Sequence, residues 1–290
     1  MFAAESLLPG LYLVGTPIGN LEDITVRAIR VLKQADLIAC EDTRETQKLL
    51  NRYAIETRTV SYHEHNEALR ATELVEKLSR GMRIALVTDA GMPAVSDPGF
   101  RLVRLALERS LRVVPVPGPV AFVAALVASG LPVDCFAFRG FLPPRQGARR
   151  QALDGIRHSR QTEIFYEAPQ RLRETLEDAF AVFGPYRSVA IARELTKVHE
   201  EFWRGPLAAV LETVRRREQV KGEITLLFGP EAGSTAALPG VSVRERVEEI
   251  MREEQLEEKA ALKKAAKERG VSKSAIYREL QLEKRQSAKK

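Results

Sequence analysis

RIALVTDAGMPAVSDPG, residues 83–99, is the stretch that decides how the fold is read. Ile84, Ala85, Leu86 and Val87 make a short continuous apolar run, the pattern of a strand buried on both faces. Asp89, Gly91, Pro93, Ser96, Asp97, Pro98 and Gly99 then follow within eleven residues, a mixture for which a packed interior has no use. Glycines let a backbone approach a ligand, and prolines hold a loop in one shape. Carboxylates at the carboxyl end of a parallel strand stand where open α/β sheets bind small molecules. Taken alone, an ordinary βα turn with solvated aspartates accounts for the stretch equally well. The ligand loop gains weight because similar loops recur along the chain.

Upstream and downstream, LYLVGT from Leu11, LIACED from Leu37, RTVSY from Arg58 and RVVPVPG from Arg112 are also strand-like, separated by amphipathic segments such as Ile24–Gln34 and Glu67–Arg80. This spacing of consecutive βα units predicts a parallel five-stranded sheet covered on both faces. VGTPIGNLED from Val14, CEDTR with Glu41, Asp42 and Arg44, and VPVPGPVA from Val114 place polar or Gly/Pro-rich loops after other strands, so four of five strands end this way on one edge. The first of these loops is not GxGxxG: Pro17 removes an N–H where a dinucleotide fold would point one at pyrophosphate. No GxxxxGK[ST] occurs either, which argues against hydride transfer and nucleotide hydrolysis.

The apolar helix Val120–Ser129 leads into Gly130, Leu131, Pro132 and Val133, read as a domain linker. From Cys135 to Pro230 the rhythm changes: FAFRGF, TEIFYEA, SVAIARE, EEFWRG and GEITLLFGP alternate with helices Gln146–His158, Arg171–Phe183 and Leu207–Glu218. A second α/β domain with a mixed sheet is expected, and the polar clusters in its loops put the binding cleft between the two domains. In ARELTKVHEE, Arg193, Glu194, Lys197, Glu200 and Glu201 crowd one strand end in both signs, as an interlocked polar site or an interdomain salt-bridge network would. EAGSTAALPG after Pro230 reads as a linker.

The remainder reads as helical. Val243, Val247, Ile250 and Met251 share one face, a second helix runs from Leu256 to a stop at Gly270, and Ser272 caps a third, Lys273–Leu280. Eleven Lys and Arg against three Glu lie from Lys259 onward, whereas Val241–Glu258 holds three basic and seven acidic residues. A small helix-turn-helix nucleic-acid module is expected there, with a dimerisation tail as the alternative. The domain limits are therefore set at 1–130, 131–230, 231–241 for the linker and 242–290 for the tail.

A chain of 290 residues, 44% hydrophobic, is long enough for two cores. With no basic segment followed by a long apolar stretch, neither signal peptide nor membrane span is expected, and the location read is cytoplasmic. The net charge of +6 favours a polyanionic partner. Cys40 and Cys135, far apart in apolar runs, read as reduced, buried thiols. His63 and His65 in YHEHNE have no Cys or third His nearby, so a polar loop rather than a metal site is expected.

In order from Gly10 to Pro230, LYLVGTPIGNLEDIT, CEDTR, VTDAGMPAVSDPG, VPVPGPVA, GFLPPR, FYEAPQR, ARELTKVHEE and KGE resemble the ribosomal RNA small subunit methyltransferase I family of the tetrapyrrole methylase superfamily. The resemblance implies an S-adenosylmethionine-dependent enzyme that 2′-O-methylates a cytidine ribose in the decoding region of 16S rRNA, a homodimer, and a donor pocket at the domain interface. It also implies that the C-terminal helices are a helix-turn-helix extension. Carried over by position, Gly91, Met92, Val95, Val120, Ala121, Tyr166 and Gly222 are donor-site candidates, joined from the loops by Pro17, Asp89 and Asp97. Met92 stands where many relatives carry Thr, and contact through its backbone is expected. A cationic sulfonium suits carbonyls and carboxylates, in keeping with the missing pyrophosphate fingerprint.

Glu41, Asp42, Glu194, Lys197 and Glu223 are polar and near strand ends, and Lys197, Glu194 and Glu41 are taken as the catalytic candidates. Lys197 beside Arg193 in a closed cleft would lose its proton more readily, whereas an ion pair with Glu194, Glu200 or Glu201 would hold the proton on. Arg44, Arg145, Arg149 and Arg150, then Lys263, Lys264 and Lys273, are the RNA-contact candidates, with Arg157 and Arg160 adding to the same basic run. Two other readings stand beside this one: a methylase of a tetrapyrrole, and a non-catalytic RNA-binding ribosome assembly factor.

Overall fold

A computed structural model of the chain describes residues 6–231, 243–268, 276–278 and 280. It divides into two compact units, the first holding the residues up to Ala125 together with Glu194–Glu201, the second Leu126–Arg193 and the residues from Phe202 onward.

The first unit is built on β1 (Gly10–Val14), β2 (Leu37–Cys40), β3 (Thr59–Ser61), β4 (Arg83–Leu86) and β5 (Val113–Val116), interleaved with α1 (Val26–Gln34), α2 (Thr43–Arg52), α3 (Glu67–Ser79) and α4 (Phe100–Glu108); α5 (Ala121–Ser129) follows β5. All strand pairs are parallel, in the order β3-β2-β4-β1-β5. The continuous apolar runs have the expected cause. Tyr12, Val14, Ile38 and Ala85 face α1 and α2 through Ala28, Val31, Leu32, Leu49 and Leu50. Leu11, Leu37, Ala39, Ile84 and Leu86 face α3 and α4 through Leu74, Val75, Leu78 and Leu102. Each buried Val, Leu or Ile among them contributes about 1.5–3 kcal/mol. Caps set the helix starts: the Thr25 hydroxyl takes the Ala28 N–H and the Asp42 carboxylate takes the Arg44 N–H.

This strand order fixes a switch point. From β1 the chain leaves through α1 on one face toward β2, and from β4 it leaves through α4 on the other face toward β5. Adjacent strands whose connections part in this way leave a crevice at their carboxyl ends.

The second unit carries β6 (Phe136–Phe141), β7 (Thr162–Glu167), β8 (Ser188–Arg193), β9 (Glu201–Pro206) and β10 (Ile224–Phe228), ordered β6-β7-β10-β8-β9. β6 and β7 are parallel and β10 runs antiparallel to both β7 and β8, which makes the sheet mixed as expected. α6 (Gln146–Asp154), α7 (Leu172–Phe183) and α8 (Leu207–Arg215) cover one face, packing Leu153, Leu172, Leu176, Val210 and Leu211 on Phe165, Val189, Ile191, Leu226 and Phe228. α9 (Val243–Glu254) and α10 (Glu258–Glu268) share a separate small core in which Val247, Ile250, Leu262 and Ala265 meet Ile276 and Leu280. Most of the expected linker, the stop at Gly270 and the first residues of the expected third helix, Lys273 among them, lie outside the described residues.

Two expectations are corrected. Cys135 is exposed, its Sγ donating to Gln161 Oε1 at 3.2 Å, because it sits in the connection before β6 and not within the strand. Arg149, expected to meet RNA, is 2% exposed and its guanidinium is committed to Asp178 at 2.7 Å. No described helix is long and apolar enough to cross a membrane.

Candidate functional site

At the switch point the loops after β1 and β4 are joined by two backbone bonds, Thr16 N–H to Gly91 O at 2.9 Å and Gly91 N–H to Thr16 O at 3.2 Å. The buried Thr16 hydroxyl also donates to Thr88 O at 3.0 Å. The loop after β5 closes on the same place: a Cβ on Gly15 would stand 2.7 Å from Gly118 Cα and 2.8 Å from Met92 Sδ. Only glycine permits that approach. Gly91 has a φ of 90°, while Ala94 and Ser96 hold left-handed values of 70° and 62° without being glycine. Strain of this kind collects in loops shaped for a ligand. Met92, expected to act through its backbone, thus also turns its thioether toward Gly15. Pro17 is buried just beyond this junction, and Val120 and Ala121, half-buried, follow Pro119 at the start of α5. Val95 is 38% exposed.

Carboxylates ring the junction. Thr88 Oγ1 donates to Glu41 Oε2 at 2.9 Å, and Asp42 N–H donates to Asp89 Oδ1 at 3.1 Å. Asp42 itself is held by the Arg44 guanidinium at 2.7 Å, which lowers its carboxyl to about 2; most of the Arg44 side chain remains in solvent. Asp89 shifts the other way, upward, through burial and then the neighbouring charges of Glu41 and Asp42. Burial, reinforced by Glu41 and Asp89, pushes Asp97 up to about 6. Among the described residues no cation pairs with Glu41, Asp89 or Asp97. Such uncompensated negative charge suits a cationic group and opposes a phosphate.

The segment Glu194–Glu201 reaches the loop after β1. Asn20 N–H donates to Thr196 Oγ1 at 3.0 Å, and a Cβ on Gly19 would meet Lys197 Cγ at 2.5 Å. Lys197 Nζ binds Glu194 Oε1 at 2.9 Å, with both side chains mostly buried. The ion pair with Glu194 weighed from the sequence is thus present.

In the second unit, register places Thr225 opposite Tyr166 and Ile224 opposite both Glu167 and Arg193. Tyr166, Arg193, Gly222 and Glu223 therefore share one end of the sheet. Phe138 and Phe141 pack on the Tyr166 ring at 4.8 and 5.7 Å between centroids. Buried Glu167 ties the turn after Tyr166 by accepting from Thr175 Oγ1 at 2.7 Å and Ala168 N–H at 2.8 Å, and it pairs with Arg171 at 2.6 Å. Arg145 is exposed at the start of α6, and Arg150 is half-exposed although paired with Asp178 at 2.6 Å. On α10, Lys263 is exposed and Lys264 half-buried. Sequence reading missed Thr16, Thr88, Gly15, Gly118 and Thr196. Their side chains are small and carry no charge, so only the loops they join reveal them.

The sequence profile of the tetrapyrrole (corrin/porphyrin) methylases matches residues 10–211. The chain belongs to the tetrapyrrole methylase family. Within the family it is similar to proteins named ribosomal RNA small subunit methyltransferase I. The one from Halalkalibacterium halodurans is 48% identical over 272 residues, 92% of this chain and 93% of that one. The one from Escherichia coli O157:H7 is 46% identical over 277 residues, 95% and 96% of the two chains. Among solved structures, the cobalt precorrin-4 methyltransferase CbiF superposes with a TM-score of 0.58 at 17% identity, covering 76% of this chain and 94% of that one. A uroporphyrin-III-C-methyltransferase from Thermus thermophilus gives 0.51 at 21% identity, covering 76% and 94%. The tetrapyrrole methylase fold is thus shared with enzymes far apart in sequence.

Proposed function

We propose that this chain is an S-adenosylmethionine-dependent rRNA methyltransferase that modifies the 2′-hydroxyl of a cytidine ribose in the decoding region of 16S rRNA. It acts on the small ribosomal subunit as a cytoplasmic homodimer. The observation that carries the reading is similarity over nearly the whole chain, tail included, to proteins named ribosomal RNA small subunit methyltransferase I. The site's own chemistry agrees: the carboxylates Glu41, Asp89 and Asp97, which meet no cation among the described residues, fit a sulfonium beside glycine loops.

S-adenosylmethionine supplies an electrophilic methyl group. In the first unit Pro17, Asp89, Gly91, Met92, Val95, Asp97, Val120 and Ala121 would hold the donor, and in the second unit Tyr166 and Gly222 are donor candidates by the family resemblance. Glu41, Glu194 and Lys197 are the groups to orient the acceptor hydroxyl and take its proton. Arg44, Arg145, Arg150, Lys263, Lys264 and Lys273 serve the RNA phosphates. With Lys197 held by Glu194, proton removal by the amine requires that pair to open when RNA docks and the side chain to be neutral, its own proton having passed to Glu194 or solvent. In single turnover with donor and subunit both saturating, Lys197→Met then falls by about 10²-fold or more. A rate near wild type removes Lys197 from proton transfer, and recovery only at high subunit concentration makes it a binding residue.

The assay for the whole reading presents labelled S-adenosylmethionine with either small ribosomal subunits or uroporphyrinogen. Label in 16S rRNA is expected. Label in the porphyrinoid returns the chain to tetrapyrrole chemistry, and label in neither leaves an assembly factor.

A further inference from the structure

Thr196 occupies a conformation that a β-branched residue rarely adopts. Its φ is 65°, with Glu194 two residues earlier at 52°, neither of them glycine. A non-glycine residue held there costs on the order of 1–3 kcal/mol and persists only where its surroundings over-determine it. Glycine or asparagine would bear the backbone more easily, so the hydroxyl is the feature that needs explaining. It accepts the Asn20 N–H at 3.0 Å, while Thr196 N–H donates to Glu200 Oε2 at 2.7 Å and Lys197 N–H to Glu194 O at 3.0 Å. Gly19, next to Asn20, leaves no room for a Cβ: one would fall 2.5 Å from Lys197 Cγ and 2.8 Å from Thr196 Oγ1. The stem of Lys197 therefore lies on the bare backbone of the loop after β1, and the Thr196 hydroxyl is a side-chain contact that fastens the segment there.

We propose that Thr196 is a positioning residue: its bond to Asn20 holds Lys197 down on Gly19 and so sets where the ammonium stands. The inference rests on the reading of Lys197 as a working group of the methyl-transfer site, yet its geometry is testable apart from activity. Full-length protein is treated briefly with acetic anhydride, and acetylation of Lys197 is followed by mass spectrometry against exposed Lys48 as internal reference.

Thr196→Val is expected to raise Lys197 acetylation about fivefold, the factor that one lost hydrogen bond supplies. Thr196→Ser, which keeps the hydroxyl, stays at the wild-type level. Gly19→Ala, which pushes the stem off from the other side, raises labelling too, and it decides the matter if Thr196→Val does not fold. Unchanged labelling in both variants overturns the proposal. Raised labelling with a lowered single-turnover rate and unchanged donor KM supports it together with the role of Lys197. Raised labelling with an unaltered rate supports the positioning while removing Lys197 from the reaction.

Discussion

At Asp97, burial outweighs the hydroxyl contact from Thr88, and the carboxyl rises to about 6 from an ordinary 3.8. The native state then holds a proton that the unfolded chain has released, so Asp97 makes stability fall as pH climbs from about 4 to about 6. Allowing for its partial exposure, this amounts to on the order of 1–2 kcal/mol. Asp97→Asn should flatten that slope in urea titrations at a series of pH values. Donor affinity runs the opposite way, because only the charged carboxylate attracts a sulfonium. Calorimetry should find S-adenosylmethionine bound roughly five- to tenfold more weakly at pH 5 than at pH 7.5, a dependence that Asp97→Asn loses. A wild-type affinity that is flat across this window would take Asp97 out of the donor site. Gly15 gives a steric test nearby. Gly15→Ala sets a Cβ against the Gly118 backbone, and chemical denaturation should show a loss of about 1–3 kcal/mol along with weakened donor binding. Wild-type stability would mean that the loops after β1 and β5 give way easily.

Among the elements, α9 and α10 share a small core of their own with Ile276 and Leu280, while both sheets are packed by other helices. Deleting the residues after Pro239 should therefore leave folded sheets and intact donor binding. Methylation of subunits should drop, and the deficit should widen as salt is added, since phosphate contacts release counterions. Full-rate modification by the truncated protein would return these helices to dimerisation or to no role. α6 illustrates how an element sorts its own side chains. Arg149 is turned into the interior against Asp178, whereas its neighbour Arg150 keeps half its surface in solvent. Of consecutive arginines in one helix, only those on the outward face are available to phosphate.

For the whole molecule, the net charge of +6 and the arginines of the second unit give a polyanion a surface to meet, and the carboxylates of the first unit give a cation one. Both signs occur in each unit, Arg44 standing among the carboxylates of the first and Glu167 and Asp178 among the arginines of the second. Sedimentation equilibrium should report twice the chain mass. A single-chain mass at assay concentration, with full activity, would remove the homodimer from the proposal.

Much of this protein was legible residue by residue. Strands sealed on both faces must be apolar throughout, so β1, β2 and β4 announce themselves, and glycine and proline mark loops because they alone meet special backbone demands. The starts of α6 and α8 and the five strand-like runs in each half, matched by the described strands, followed from such local rules, whereas the ordered motifs spoke through their resemblance to a family. Periodicity records how deeply a segment is buried but not which partner buries it. The order β3-β2-β4-β1-β5, the meeting of Gly15, Gly91 and Gly118, and the placement of Glu194–Glu201 with the first unit all depend on contacts between residues distant in sequence. The burial of Arg149 and the exposure of Cys135 do so as well, because a side chain's type sets what its burial costs, and only its neighbours settle whether that cost is met.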